Sequence, residues 1–333
     1  MKNLTQKLML VVISAMVLSA CNPMEEWPIN FNEGAFPDSV TNFTAVNTRF
    51  DDYNSAGPPS ISFSMPLVFS SNRDSDGDNF NLIEYQLYVR FNQTDGTLYL
   101  GAERYQTYPF YHLTNLSNSN KDEFGPYTSH LGGDEYFFFF SSNRTGNMEI
   151  YVSYFTPYSF SGIGPVDPDP FRMISINSPR YDAYATLSVQ HDQLLLSSER
   201  DGNLDIYRAI PPKPYDFYSW ARSDTAYPVE KVDILNSPAE DLCPYINGNL
   251  LVFASKREGG FGGYDLYYSK HDGNEWQTPV NFGPKINSEY DEFRPVVFYA
   301  PYFTNELLIF SSNRPGGSGG YDLYYVGIEK MIE

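Results

Sequence analysis

Cysteine is nearly absent. The chain of 333 residues carries two, Cys21 and Cys243, too few for a disulfide framework or a multi-cysteine zinc site. Histidine is scarce as well. His112, His130, His191 and His271 stand far apart and show no metal-ligand spacing. Basic residues are in deficit: 22 Lys and Arg against 41 Asp and Glu give a formal charge of -19. That balance argues against nucleic acid and against binding anionic lipid by charge. Trp occurs three times. The spacing Gly-x-Ser-x-Gly occurs at Gly316–Gly320, between two strands and not at a strand-to-helix turn, so no serine nucleophile of the elbow type is expected. Past Cys21, no apolar run is long enough to cross a bilayer.

One apolar run does stand out, Leu8 to Leu18, behind Lys2 and Lys7. It is short for a membrane span and reads as a secretory leader. It ends in Leu18-Ser19-Ala20-Cys21, which resembles a bacterial lipobox. The resemblance implies that Cys21 is lipidated and becomes the first mature residue; an ordinary leader with a chance cysteine is the alternative. The following Asn22-Pro23-Met24-Glu25-Glu26 resembles the surface-export signal of Bacteroidetes-type lipoproteins, or is a plain acidic tether. The expected organisation is a leader over 1–20, a lipidated tether over 21–37, a folded domain over 38–328 and a tail over 329–333. The expected location is the outer membrane, held by N-terminal lipid and facing the cell exterior, with the periplasmic face as the alternative.

What the chain does have is aromatic residues and turns: 28 Tyr, 25 Phe, 24 Gly and 24 Pro, the profile of short strands joined by many turns. It also has a repeat. Leu67-Val-Phe-Ser-Ser-Asn-Arg73 returns at Phe138–Arg144, Leu194–Arg200, Leu251–Arg257 and Leu308–Arg314. A Tyr-rich strand follows each copy, at Gln86-Leu-Tyr88, Glu149-Ile-Tyr151, Asp205-Ile-Tyr207, Asp265-Leu-Tyr267 and Asp322-Leu-Tyr324. Upstream stand Asn47, Asn118, Asn177, Asn236 and Asn287, each with an acid five residues on: Asp52, Glu123, Asp182, Asp241 and Glu292. A unit of turn, strand, strand, hairpin and strand that recurs at this length is a propeller blade.

The Ser-Ser-Asn-Arg runs and Tyr-Asp-Leu-Tyr endings resemble the propeller repeat of the TolB protein and of many Bacteroidetes lipoproteins, over roughly residues 44–328. Five copies predict an all-β, five-bladed β-propeller of four-stranded blades, one blade fewer than the ring of TolB itself. The last unit ends too soon for a fourth strand. Asn42–Asn47 echoes Asn281–Asn287, so residues near 38–46 are expected to supply that strand and avoid an open edge.

The glycine cluster Gly316-Gly317-Ser318-Gly319-Gly320 lies between two strands. Phosphate-cradling loops run from strand to helix, so a hairpin with glycines at positive φ is the expected reading. Arg and acid bracket each hairpin, and the sequence suggests ion pairs across it: Arg144 with Glu149, Arg200 with Asp205, Arg257 with Asp265, Arg314 with Asp322. Gln86 replaces the acid in the first blade, so Arg73 needs another partner. The acids five residues past each Asn could ring a channel mouth or cap turns. Their identical placement favours capping, because paired catalytic carboxylates need unlike environments.

Blade one inserts Asp74, Asp76, Asp78 and Glu84 into its hairpin. The alternation resembles a calcium loop, although its Gly and Glu fall off the EF-hand positions; a solvated acidic loop is the alternative. Calcium is thus the one cofactor suggested, and none is required. Tyr105, Tyr108, Tyr111, Tyr158, Tyr215 and Trp220 lie in connections between blades and are candidates for a partner surface, or simply pack over the ring. The sequence reading that results is a non-catalytic subunit docking other envelope or outer-membrane proteins. The alternative is a glycan-binding or glycan-hydrolysing propeller.

Overall fold

The computed structural model describes residues 29–105, 110–130, 136–155, 169–188, 190, 192–211 and 217–333. They form five antiparallel four-stranded sheets. The first blade comprises β2 (Asp52–Ala56), β3 (Ser64–Ser71), β4 (Asn81–Phe91) and β5 (Leu98–Glu103). The second comprises β6 (Glu123–His130), β7 (Tyr136–Ser142), β8 (Glu149–Phe155) and β9 (Phe171–Arg172). The third comprises β10 (Asp182–Leu187), β11 (Leu194–Ser198), β12 (Asp205–Ala209) and β13 (Val229–Lys231). The fourth comprises β14 (Asp241–Asn247), β15 (Leu250–Ser255), β16 (Asp265–Lys270) and β17 (Val280–Asn281). The fifth takes β18 (Glu292–Phe298), β19 (Glu306–Ser312) and β20 (Asp322–Ile328), and borrows its outer strand β1 (Thr41–Asn42) from the start of the chain. The chain is a five-bladed β-propeller closed by an N-terminal strand, as the repeat predicts.

Each blade is covered on both faces by its neighbours, so the second strands are buried without alternation: Leu250–Ser255 and Glu306–Ser312 throughout. This is why continuous apolar runs, and not period-two patterns, mark these strands. Every first strand shows a register shift just after its acid. The residue at each shift, Asn54, Gly125, Tyr184, Cys243 or Arg294, has positive φ. The β-bulge bends the strand that faces the ring axis. It also explains Pro126, Pro244 and Pro295, which need no ladder N–H on an edge strand.

The repeat residues join one blade to the next. The side-chain oxygen of Asn47 accepts the Leu323 N–H at 2.9 Å, and its amide donates to the Leu323 carbonyl at 2.8 Å. Asn118, Asn177, Asn236 and Asn287 grip Leu82, Ile150, Ile206 and Leu266 of their preceding blades in the same way. Asn47 does this across the closure. Asn47→Ala is expected to cost about 2–3 kcal/mol, since it strands two backbone groups; urea denaturation against wild type measures it.

Candidate functional site

The five hairpin arginines do not pair across their hairpins. Arg73, Arg144, Arg200, Arg257 and Arg314 instead reach back to Asp52, Glu123, Asp182, Asp241 and Glu292 on the first strand of the same blade. The Arg257–Asp241 contact is 2.6 Å and Arg314–Glu292 is 2.7 Å. Register is the physical reason. Asp241 lies opposite Ser255, two residues before Arg257, and the guanidinium folds back to the Ser255 hydroxyl and the carboxylate together. The other carboxylate oxygen accepts the N–H and hydroxyl of Ser237. The five acids are fully buried. Burial pushes the Glu123 and Glu292 carboxyls up, against the pull of their serine and arginine partners. These acids cap turns and bind arginine.

The acids after each hairpin take other roles. Asp322 accepts the N–H groups of Ser318 and Gly319, and Asp265 those of Phe261 and Gly262. A Cβ at Gly317 would fall 1.8 Å from the Asp322 carboxylate, and Gly316 has φ +93°. The glycine cluster is a hairpin wrapped on an internal carboxylate. Asp205 binds Lys231 at 2.6 Å and Glu149 binds Arg172 at 3.1 Å. Blade one is also set in a different register from the sequence reading. Ser71 lies opposite Asn81, as Ser312 lies opposite Asp322, so Asn81, not Gln86, replaces the acid.

The four carboxylates suggested for calcium do not converge. Asp74 pairs with Arg104 and Asp76 with Arg49 at the surface. Glu84 is buried on β4 opposite Val68, and Asp78 lies in the exposed turn before that strand. Among the described residues, no three His, Cys, Asp or Glu side chains are grouped to hold a metal. The aromatic connections are divided as well. Tyr105 is exposed, and Tyr111 is half-buried on the helix Phe110–Ser117. Trp220 is buried, edge-on to Phe217 and Tyr227. Its helix, Phe217–Ala221, folds down so that Phe217 meets Phe137 and Phe139 of blade two, which removes Trp220 from any partner surface. Tyr108, Tyr158, Tyr215 and Cys21 lie outside the described residues.

A site that the repeat does not announce lies where blade five meets blade one. A groove of about 1050 Å³ opens there between Ile61–Phe63, Val89, Phe91–Thr94, Tyr302–Phe303 and Asn32. Its wall is a strap of N-terminal chain. Asn30 and Phe31 donate their N–H groups to the Gln93 carbonyl, and Gly34 exchanges hydrogen bonds with Tyr302 and Thr304. Gly34 is required, since a Cβ would sit 2.6 Å from the Phe303 ring. The strap is bonded at Gln93 to a second border, the hairpin after β4, turned by Gly96 at φ +75°. Two rings stand at the mouth. Phe63 is 68% exposed and Tyr302 63%, and they lie nearly parallel with centroids 6.4 Å apart. The other polar liners are Ser62, Asn92, Gln93, Thr94 and Asn32; among the described residues no charged side chain lines the groove.

No protein-family model matches the chain, and no curated protein matches it. Among solved structures, it is similar to an endo-arabinase from Bacteroides thetaiotaomicron, with 13% identity, TM-score 0.51, 88% of this chain and 98% of that one covered. A thermostable family-43 glycoside hydrolase matches with 11% identity, TM-score 0.51, and coverage of 88% and 94%. TolB from Acinetobacter baumannii matches at 14% identity and TM-score 0.37, over 80% of this chain and 52% of that one. Likeness at this identity is a likeness of propeller fold. It nonetheless corrects the sequence reading of a non-catalytic docking subunit that is no enzyme. The endo-arabinase and the family-43 enzyme, matched over nearly their whole length, are named as glycoside hydrolases and not as docking subunits.

Proposed function

We propose that this propeller is a carbohydrate-active protein that takes a neutral glycan into the groove between blades five and one. The observation that carries the reading is the exposed parallel pair Phe63 and Tyr302 beside an uncharged lining of amides and hydroxyls. Flat aromatic faces gain from covering the apolar C–H faces of sugar rings, and amide and hydroxyl groups both donate to and accept from sugar hydroxyls. An uncharged pocket in a chain of net charge -19 suits an uncharged ligand. The endo-arabinase and the family-43 hydrolase support the same class of ligand by their names alone. The lipobox-like Leu18–Cys21 adds that the protein is carried at the outer membrane by lipid.

Two carboxylates adjoin lining residues in the chain: Glu33 beside Asn32, and Asp95 beside Thr94. The Thr97 N–H holds the Asp95 carboxyl below its ordinary range. Neither lines the groove, and Glu33 pairs with Lys330 at 4.0 Å, so the groove is read as a binding site.

Affinity electrophoresis and calorimetry with neutral polysaccharides, arabinans included, test the reading. Wild type is expected to bind, and Phe63→Ala and Tyr302→Ala each to weaken binding about tenfold, or about 1.4 kcal/mol. Release of reducing ends from a bound polysaccharide would mark hydrolysis as well as binding. Binding that ignores both aromatic substitutions would place the ligand elsewhere and refute the groove.

A further inference from the structure

Four of the five bulge residues, all but Gly125, present a side chain to the ring axis. Their meeting is visible in four contacts. The Tyr184 ring fills the place beside Gly125, 2.4 Å from where a Cβ would stand. The Arg294 guanidinium lies 5.5 Å from the same ring. Arg294 then spans the axis: Nη1 donates to the Pro244 carbonyl of blade four at 3.0 Å and Nη2 to the Pro126 carbonyl of blade two at 3.1 Å.

Arg294 is completely buried. The five hairpin arginines each have a carboxylate; Arg294 has none among the described residues. The titratable groups around it are Cys243, Tyr184, Tyr245 and Tyr127, and burial pushes all four up, so they are neutral at neutral pH. Its Nε–H has no acceptor. On the adjacent blade, at the equivalent bulge, Asn54 is also completely buried, and neither its Nδ2 nor its Oδ1 has a partner. The Asn54 backbone N–H is fixed on Ser311, so its side chain is free to face the axis.

A buried cation without a counter-charge and a buried amide without a partner are each unfavourable. Both occur at the same level of the ring, on neighbouring strands. A water molecule would answer the hydrogen bonds and leave the charge; a cation would be repelled. We propose that the axis binds a small monovalent anion of halide size, held by Arg294 Nε and Asn54 Nδ2. The ligand is distinct from the glycan of the seam groove, and the site does not depend on that reading.

The experiment uses the whole chain in sodium chloride, sodium bromide and sodium gluconate at equal ionic strength. The melting temperature is expected to rise with halide concentration and to saturate, as specific binding to the folded state requires, and not to rise with gluconate. Asn54→Gly, which suits the positive φ, is expected to shift the halide midpoint about tenfold higher, and Arg294→Met to abolish the response. Crystals grown in bromide are expected to show an anomalous peak between the two side chains. Equal melting in the three salts overturns the proposal. So does a map with no peak on the axis, and so does a peak without a melting response, which marks an adventitious ion only. The wild-type arms decide the matter even if Arg294→Met does not fold.

Discussion

Arg257→Met is expected to destabilise the ring by about 3–5 kcal/mol, the usual cost of removing one partner of a buried ion pair. Asp241 is wholly buried, whereas the Arg257 side chain is 16% exposed, so the loss falls on a carboxylate that water cannot reach. The guanidinium also donates to the Ser255 hydroxyl and the Leu235 carbonyl and lies 4.7 Å from the Tyr267 ring centre. Methionine keeps much of the packing against that ring and none of the hydrogen bonds. Urea denaturation measures the loss. The double variant Arg257→Met with Asp241→Asn is expected to recover part of it, because asparagine leaves no stranded charge while one oxygen still accepts from Ser237. A loss below about 1 kcal/mol, the range of exposed pairs, would mean that the five arginine–acid pairs do not hold the blades.

Gly125→Ala is the second large effect, about 2–5 kcal/mol. The residue sits at φ +56°, where an L side chain costs about 1–2 kcal/mol. Its new methyl would meet the Tyr184 ring at 2.4 Å, an overpacking that costs about 1–3 kcal/mol. The other four bulges carry Asn, Tyr, Cys and Arg at similar φ, so the backbone tolerates a side chain; the neighbouring ring does not. Thermal melting of Gly125→Ala, with and without Tyr184→Ala, separates the two terms. Unchanged stability in the single variant would show that the Tyr184 ring has another place to go.

The number of blades and their closure were legible because each blade repeats the same residues for the same bonds. Asn47 and Asn287 look alike because both grip the third strand of the blade before them. The partners of the arginines were not legible. An acid stands on either side of each arginine in the sequence, and strand register alone decides that Arg314 turns to Glu292 and leaves Asp322 to the hairpin amides. In blade one, a longer turn hid the equivalence of Asn81 with Asp322, so Gln86 and Glu84 were placed at the wrong level. Loop aromatics were equally ambiguous: Trp220 packs inward through its short helix, while Tyr105 stays in water. The groove was missed because it is built from departures from the repeat. Ile61–Phe63 and Tyr302–Phe303 lie in the connections after first strands, which blade four makes with Gly248-Asn249 alone. An unusually long, aromatic connection in two neighbouring blades was the available signal.

The seam also sets an order in time. Asn47 must wait for Leu323, 276 residues later, so a nascent chain carries its first blade with an unmated flank until almost the whole protein has been made. Pairing at so large a separation in the chain is entropically slow. Two borders of the groove, the strap at Asn32 and the Tyr302 loop, come from opposite ends of that wait. Phe63 and Tyr302 therefore become neighbours only in the finished ring, and sugar binding at the groove would serve as a readout of completed folding, silent in every shorter or open form of the chain.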